Sequence, residues 1–520
     1  MFVIYRSIPW FTSNTIHPNA TSTAQRREGD ISNAFASLSG SPPKPLDARF
    51  ADIKTRLIQG NEARIEASWS RLLTELRKET QDIIEKGSSI IPEIQYQDLS
   101  SASTTFRSAL KKYGVAVIRN VLPENEALAL KTDIREYIAA NAERTRAFPP
   151  ENPQVYELYW SPSQVRARSH PNLLHTQKWL MEEFWHTSPP APAPIKQQQQ
   201  QQQQPPPLIS TSHPVTYADR FRIRLPGDNK FALGPHVDGG SCERWEDAGY
   251  GGRRANGVYE AIFDGRWEDF DAWAARPRLG VNSDLYAGTG ACSMFRMFQG
   301  WLSMSTTGPG EGTLLVNPLF KLATAYYLLR PFFTPKAPSS PDSPAAAQQQ
   351  EWTLCDPQTA TLPGSSPGQG QELTQADHPH LLLPQTMISL PRVHPGDYVV
   401  WHCDTIHAVD PTHCGAHDSS VLYIPVCPLT QRNAEALERQ RRAFLVGATS
   451  PDFGDEGAVA EGAHVGRMDV EGFVQMEEAA GRVEGLRAMG LEAWDSDAEG
   501  LGAGQREVLD RANKIMGFYD

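Results

Sequence analysis

No run in this chain approaches the roughly 20 consecutive apolar residues of a membrane-spanning helix, so a bilayer is not its expected setting. Basic blocks are missing too. The 49 Lys and Arg stand against 61 Asp and Glu, a net charge of −12, which argues against a nucleic-acid face or an anionic membrane surface as the main partner. Cysteine is scarce. The six residues Cys242, Cys292, Cys355, Cys403, Cys414 and Cys427 form no CxxC pair and no even ladder, the usage of free thiols in a reducing compartment, and the cytoplasm is the expected location. Acidic residues are absent before Glu28, where Ser and Thr are frequent and Arg6, Arg26 and Arg27 carry the charge. Mitochondrial transit peptides share that bias with unstructured leaders, which makes the mitochondrion the alternative location. No apolar signal core with a cleavage site is found, and no repeat at solenoid periods.

What is present is a globular composition, 40% hydrophobic and 21% charged, with 41 prolines gathered into a few stretches. The chain divides into a disordered leader over 1–45 and one domain over 46–520. That domain has a helical part at 46–145, a strand-rich core at 210–430 and a helical part at 431–520. Two low-complexity stretches, at about 188–207 with eight glutamines and at about 334–380, cannot bury a core and are expected to project as insertions. Ile65, Trp69, Leu72, Leu73, Leu76 and Ile83 recur at helical spacing, with Gly87 placed to stop the helix. A short buried strand is expected over 115–119 and a helix after Pro123. From 215 to 303, and again in "GTLLVNP", "DYVVWHC" and "SVLYIPV", short β-branched or aromatic segments lie between Gly and Pro. Antiparallel strands without alternating helices predict an α+β chain whose mainly β core is a jelly roll, with helical additions at both ends.

The chemistry concentrates in two places. In "LGPHVDGGS" His236 and Asp238 are two apart, so on a strand they share a face about 6.6 Å apart along the backbone. Gly239 and Gly240 end the strand there, at the mouth of a barrel, where jelly-roll sites lie. Two histidines and one carboxylate on one face leave about three metal positions open, as in non-haem Fe(II) oxygenases, so a third ligand is needed from elsewhere. "GDYVVWHCDTIHAV" offers a second H-x-D, His402 and Asp404, together with His407. His402 falls within a buried strand, whereas Asp404 and Thr405 can turn the chain and put His407 at its rim. His407 is therefore the expected third ligand. Trp301 and Trp401 are expected in the core, Cys403 as a buried thiol, and "GPGEG" at 308–312 as a tight turn, since it lacks the lysine of a phosphate loop.

"GPHVDGG" followed by "PGDYVVWHCDTIHAV" resembles the H-x-D…H triad of 2-oxoglutarate-dependent Fe(II) oxygenases on a double-stranded β-helix, a cupin-like fold. The Trp401-to-His407 spacing is similar to that of the taurine-dioxygenase and phytanoyl-CoA-hydroxylase branches, in which the histidine after the turn is the ligand. "RFADIKTRLIQG", "QVYELYWSPSQV", "YADRFRIRLPGD", "LGPHVDGGSCERWED", "FQGWLSMSTTGPGEGTLLVNP" and "AMGLEAW" further resemble the family known as domain of unknown function 1479, from about residue 35 onward. The resemblance implies that His236, Asp238 and His407 hold Fe(II), that 2-oxoglutarate chelates it and that O2 takes the remaining position. Hydroxylation of a small-molecule substrate, with release of succinate and CO2, is the implied reaction.

One part of the pattern is missing. Many members hold the distal carboxylate of 2-oxoglutarate with an arginine about ten residues past the last histidine, but "AVDPTHCGAHDSSVLYIPV" contains no Arg or Lys. Arg296 is the first candidate for that task, a guanidinium being able to clamp a carboxylate bidentately. Arg220, Arg222 and Arg224 alternate along one strand, so that Arg222 is another candidate, and Tyr217, Ser419 and Ser420 could donate hydroxyl bonds. These arginines are compatible with a small anionic substrate. The rival readings are a non-catalytic jelly roll binding a metal or small acid, and a cupin-like metalloenzyme that does not use 2-oxoglutarate.

Overall fold

The structure, a computed structural model, describes residues 34–39, 45–188, 205–230, 232–252, 257–288, 291–336, 351–454 and 460–519. The long helix Glu62–Lys86 shows how the pattern acts. Ile65, Trp69, Leu72, Leu76 and Ile83 form one stripe and are all buried, each contributing on the order of 1.5–3 kcal/mol by leaving water. Gly87, at φ +52°, ends the helix, and its N–H bonds the Ile83 carbonyl. A following helix, Thr104–Tyr113, opens on the Ser103 side chain and closes on Gly114 at φ +69°, where a Cβ would come within 2.7 Å of the Phe320 ring.

Nine strands frame the centre: β1 (Phe221–Arg224), β2 (His236–Val237), β3 (Phe298–Ser303), β4 (Leu314–Val316), β5 (Gln371–Glu372), β6 (Ile388–Ser389), β7 (Tyr398–His402), β8 (His407–Val409) and β9 (Ser419–Tyr423). One sheet runs β7-β3-β9-β1. It is widened to eight strands by Val115–Arg119 and Glu93–Gln95 beside β7, and by Val155–Tyr156 and Ala147–Phe148 beside β1. The other runs β5-β2-β8-β4-β6. Neighbours among the nine are antiparallel. β7, with the sequence YVVWH, is buried along its whole length, as expected of a β-branched and aromatic run covered on both faces. Because the chain alternates between sheets, β2 and β8 become neighbours although they are far apart in sequence.

A contiguous apolar cluster joins both sheets, through Val237, Leu302, Val316 and Val400, to the N-terminal helices through Leu72, Leu76 and Leu110. A second cluster packs Tyr217 and Leu429 against Phe444, Phe473, Leu486 and Leu509 of the C-terminal helices and against Trp494 between them. No helix among the described residues is long and apolar enough to cross a membrane.

Three expectations need correction. The stretch 334–380 is not one insertion. Phe333–Pro335 pairs with Trp352–Leu354, and β5 adds an edge strand beside β2. Its Gly and Pro residues make turns, while Trp352 sits under Arg330 and the buried Gln371 bonds Arg244. Only 337–350 of this stretch, and 189–204 of the other, lie outside the described residues. The leader is not featureless to residue 45 either: Ala36–Ser39 is helical, and Phe35 is buried edge-on against His236 with ring centroids 4.9 Å apart. Residues 1–33 lie outside the described residues. Finally, regular strand covers only His236–Val237 of "ALGPHVDGG" and Phe298–Ser303 of "CSMFRMFQGWLSMS", because the glycines and the polar residues around the cavity turn the chain out of the ladder.

Candidate metal centre

β2 and β8 pair so that His407 lies directly opposite His236, which sets the two imidazoles side by side with ring centroids 4.1 Å apart. Each Nδ1 faces a backbone carbonyl two residues earlier in the chain, just before its strand. His236 reaches Gly234 at 2.8 Å and His407 reaches Thr405 at 3.1 Å. With Nδ1–H donating there, both Nε2 lone pairs turn toward Asp238, at 3.6 Å from Oδ1 for His236 and 3.7 Å from Oδ2 for His407. One ligand atom from each residue falls within a 4.8 Å span.

The loop after β2 fixes the carboxylate. Gly239 at φ +82° and Gly240 at φ +86° turn the chain, and a Cβ on Gly240 would lie 2.6 Å from the Ser283 carbonyl. Arg244, fully buried, donates to the Asp238 carbonyl at 2.7 Å and to the Gln371 side chain at 2.9 Å. The Tyr250 hydroxyl donates to the Gly239 carbonyl. Burial pushes His407 down to about 3, with the adjacent His236 ring acting the same way, so the His407 ring is neutral as a metal ligand must be. Burial works to raise Asp238, but His236, His407, Arg296 and Arg244 outweigh it and hold this carboxyl below its ordinary range.

The other H-x-D is occupied by the protein itself. His402, Cys403 and Asp404 are also close enough together to suggest a metal group. His402 Nε2 donates to the Ala272 carbonyl at 2.9 Å, Nδ1 accepts the Asp404 N–H at 3.1 Å, and the ring stacks on Trp185 at 5.0 Å. No lone pair is left for an ion. Asp404 is held by Arg278 through both oxygens and by the Tyr259 hydroxyl at 2.9 Å, and burial pushes the Cys403 thiol up to about 12.

The triad borders a cavity of about 200 Å³. Arg222 on β1 lies in the cavity wall opposite Val421 of β9, and its Nε and Nη2 are buried with no hydrogen-bond partner among the described residues. Arg296 lies in the irregular segment before β3 with one nitrogen 4.0 Å from Asp238 Oδ2, and no hydrogen bond holds its guanidinium among the described residues. The Tyr217 hydroxyl, offered by the sequence for a carboxylate, donates instead to Asp452 at 2.9 Å. Arg220 pairs with Asp219 and lies over Phe453, and Arg224 is consumed by Asp228 and the Asp410 and Pro411 carbonyls. Ser419 and Ser420 hydroxyls turn to Gly312 and Asp418. Trp301 and Trp401 are buried as expected, yet both also border the cavity, and the Trp401 ring stands 5.1 Å from that of His407. Sequence reasoning missed Phe35 and Arg244. Only Arg244 left a signal, as a lone cation six residues past Asp238 in a segment otherwise rich in acids.

The sequence pattern of the Gig2-like family matches residues 44–491. The uncharacterized protein YbiU of Escherichia coli K12 is 30% identical over 380 residues, which is 71% of this chain and 80% of the relative. Among solved structures, GlcNAc Inducible Gene 2 (DUF1479) of Candida albicans superposes with a TM-score of 0.75 at 32% identity, covering 92% of this chain and 96% of that one. A Salmonella typhimurium LT2 protein, whose name assigns it provisionally to the oxidoreductases, superposes at 0.67 with 27% identity, covering 85% and 96%.

Proposed function

The chain belongs to the Gig2-like family, and we propose that it is a non-haem Fe(II) enzyme, a 2-oxoglutarate-dependent dioxygenase that hydroxylates a small molecule. The observation that carries this reading is the convergence of His236 Nε2, His407 Nε2 and the Asp238 carboxylate within 4.8 Å on the wall of a cavity. Two imidazoles and one carboxylate on one side of an ion, with the remaining directions open to a cavity, are the donor set of Fe(II) oxygenases. The strand orders β7-β3-β9-β1 and β2-β8-β4-β6, with the triad at the ends of β2 and β8, support reading the core as a double-stranded β-helix.

The donor set fits the metal on its own terms. Both Nδ1 atoms are fixed by carbonyls, so neither ring needs to flip to bind, and Arg244 and Tyr250 lock the backbone that presents Asp238. Arg222 would take the distal carboxylate of 2-oxoglutarate. Its orphaned donors lie across the sheet from Val421, on the strand where related enzymes place their arginine, so a neighbouring strand supplies the cation that the region after His407 lacks. When bound, Fe(II) and 2-oxoglutarate would activate O2, releasing succinate and CO2 as the substrate is hydroxylated. The chain's part is to exclude water, and Phe35, Trp301 and Trp401 wall the cavity around the triad with apolar rings.

Anaerobic titration of the Fe(II)-loaded protein with 2-oxoglutarate tests the reading through the metal-to-ligand charge-transfer band. A saturable band is expected in wild type, and Arg222→Gln should need about ten- to a hundredfold more 2-oxoglutarate to reach it. Iron binding without a band would point to a metalloenzyme that does not use 2-oxoglutarate, and absence of iron binding would remove the enzyme reading altogether.

A further inference from the structure

Arg222 and Arg296 both face the cavity without a hydrogen bond among the described residues, yet 2-oxoglutarate has only one distal carboxylate to offer. The acidic residues on the same wall cannot serve the second cation. Asp219 holds Arg220, Glu157 pairs with Arg146 at 3.4 Å, Glu243 accepts the N–H groups of Ser241 and Leu285, and Asp284 accepts that of Gly288. Among the described residues Asp238 is the carboxylate that pairs with Arg296, at 4.0 Å, and in the reading above its charge and lone pairs go to the metal.

The charges then count as follows. Fe(II) with Asp238 carries +1, which the chelating carboxylate of 2-oxoglutarate cancels, and the distal carboxylate cancels Arg222. Arg296 is left over, with only 14% of its side chain exposed beside the metal position and its five donors without a hydrogen bond among the described residues. A guanidinium in that setting is costly unless an oxyanion comes to it.

We infer that the primary substrate is a small monoanion whose oxyanion group, carboxylate or phosphate, is held by Arg296 while Arg222 keeps the co-substrate. The inference rests on the proposed reaction and specifies its substrate class. Anchoring one end of the substrate beside Asp238 would place its neighbouring carbon atoms next to the metal's open side, where the oxidation has to occur. Arg296 thereby sets which C–H bond is presented, and a neutral analogue of the same size would leave a buried cation unpaired. This kind of mismatch gives strong rejection.

The test uses the full chain loaded anaerobically with Fe(II) and 2-oxoglutarate, with the monoanions glycolate and dimethyl phosphate and the neutral acetamide as probes. The readouts are melting temperature and perturbation of the charge-transfer band. At least one anion should raise the melting temperature saturably and shift the band where acetamide does not, and which anion does so separates carboxylate from phosphate recognition. Arg296→Gln should weaken that response by about ten- to a hundredfold with the 2-oxoglutarate band intact, and Arg296→Lys should restore part of it. Equal responses to anions and acetamide in wild type would overturn the inference. So would loss of the 2-oxoglutarate band in Arg296→Gln with its retention in Arg222→Gln, since Arg296 would then be the co-substrate's clamp. If wild type shows no band but an anion still stabilises it and not Arg296→Gln, the anion site stands and only the co-substrate reading fails. If neither response occurs, both fail.

Discussion

His402 and His407 lie five residues apart in one loop-and-strand segment, and truncating each to alanine should produce opposite phenotypes. The His402 ring is fully buried, makes hydrogen bonds through both nitrogens, and packs on Trp185 at 5.0 Å, Trp273 at 4.8 Å and Phe320 at 4.8 Å. Removing it empties an enclosed site and orphans the Ala272 carbonyl and the Asp404 N–H, a cost of about 3–5 kcal/mol. His407 borders the cavity, so water can fill the space its ring leaves, and it gives up one bond to the Thr405 carbonyl, a cost of about 1–2 kcal/mol. Metal closes the gap. At a free Fe(II) concentration a hundred times the dissociation constant, an intact site gains about 2.7 kcal/mol of folding stability. Urea unfolding with and without anaerobic Fe(II) measures both terms. His402→Ala should unfold at much lower urea yet keep the metal-dependent shift. His407→Ala should stay near the wild-type midpoint without metal and show no shift with it. A metal-dependent shift retained in His407→Ala and lost in a still-folded His402→Ala would refute the assignment of the triad.

Acid should destabilise the protein before its carboxylates protonate. Burial pushes His402 and His378 each down to about 4 from 6.5, so as pH falls the unfolded chain takes up these protons first. The contribution is fully present above pH 6.5 and is lost as pH drops to about 4, at about 3 kcal/mol for each ring. Urea midpoints recorded from pH 7 down to 4.5 should fall steadily and fall less steeply in His402→Phe; a flat profile contradicts the burial argument. Arg278→Met should cost about 3–5 kcal/mol, because Asp404 keeps a buried charge whose remaining side-chain hydrogen bond among the described residues is the one from the Tyr259 hydroxyl. The double variant Arg278→Met with Asp404→Leu should recover most of that loss in thermal unfolding, and a single variant that melts within a degree of wild type would show the pair to be dispensable.

The legible parts of the fold were those governed by local pattern. The stripe from Ile65 to Ile83, the stop at Gly87 and the run from Tyr398 to His402 are set by periodicity and by glycine's backbone freedom, and they need no knowledge of distant partners. Composition misled at 351–380, where Pro, Ser, Gln and Gly look like an insertion, although Gln371 and Glu372 pair with Val237 and His236 at the edge of the site. A two-residue strand carries almost no periodic signal, so only its tertiary partner identifies it. The same limit governed the search for the missing cation. Looking along the chain after His407 for an arginine assumes that the anion is held by the strand that follows the last ligand. In the folded sheet the relevant neighbour is set by register instead, and Val421 on β9 faces Arg222 on β1, about two hundred residues earlier in the chain. An arginine can move from one strand to its hydrogen-bonded neighbour and still reach the same point in the cavity. Its absence from the expected sequence position therefore says little about whether the cavity holds an anion, whereas two buried guanidinium nitrogens without partners among the described residues say a good deal.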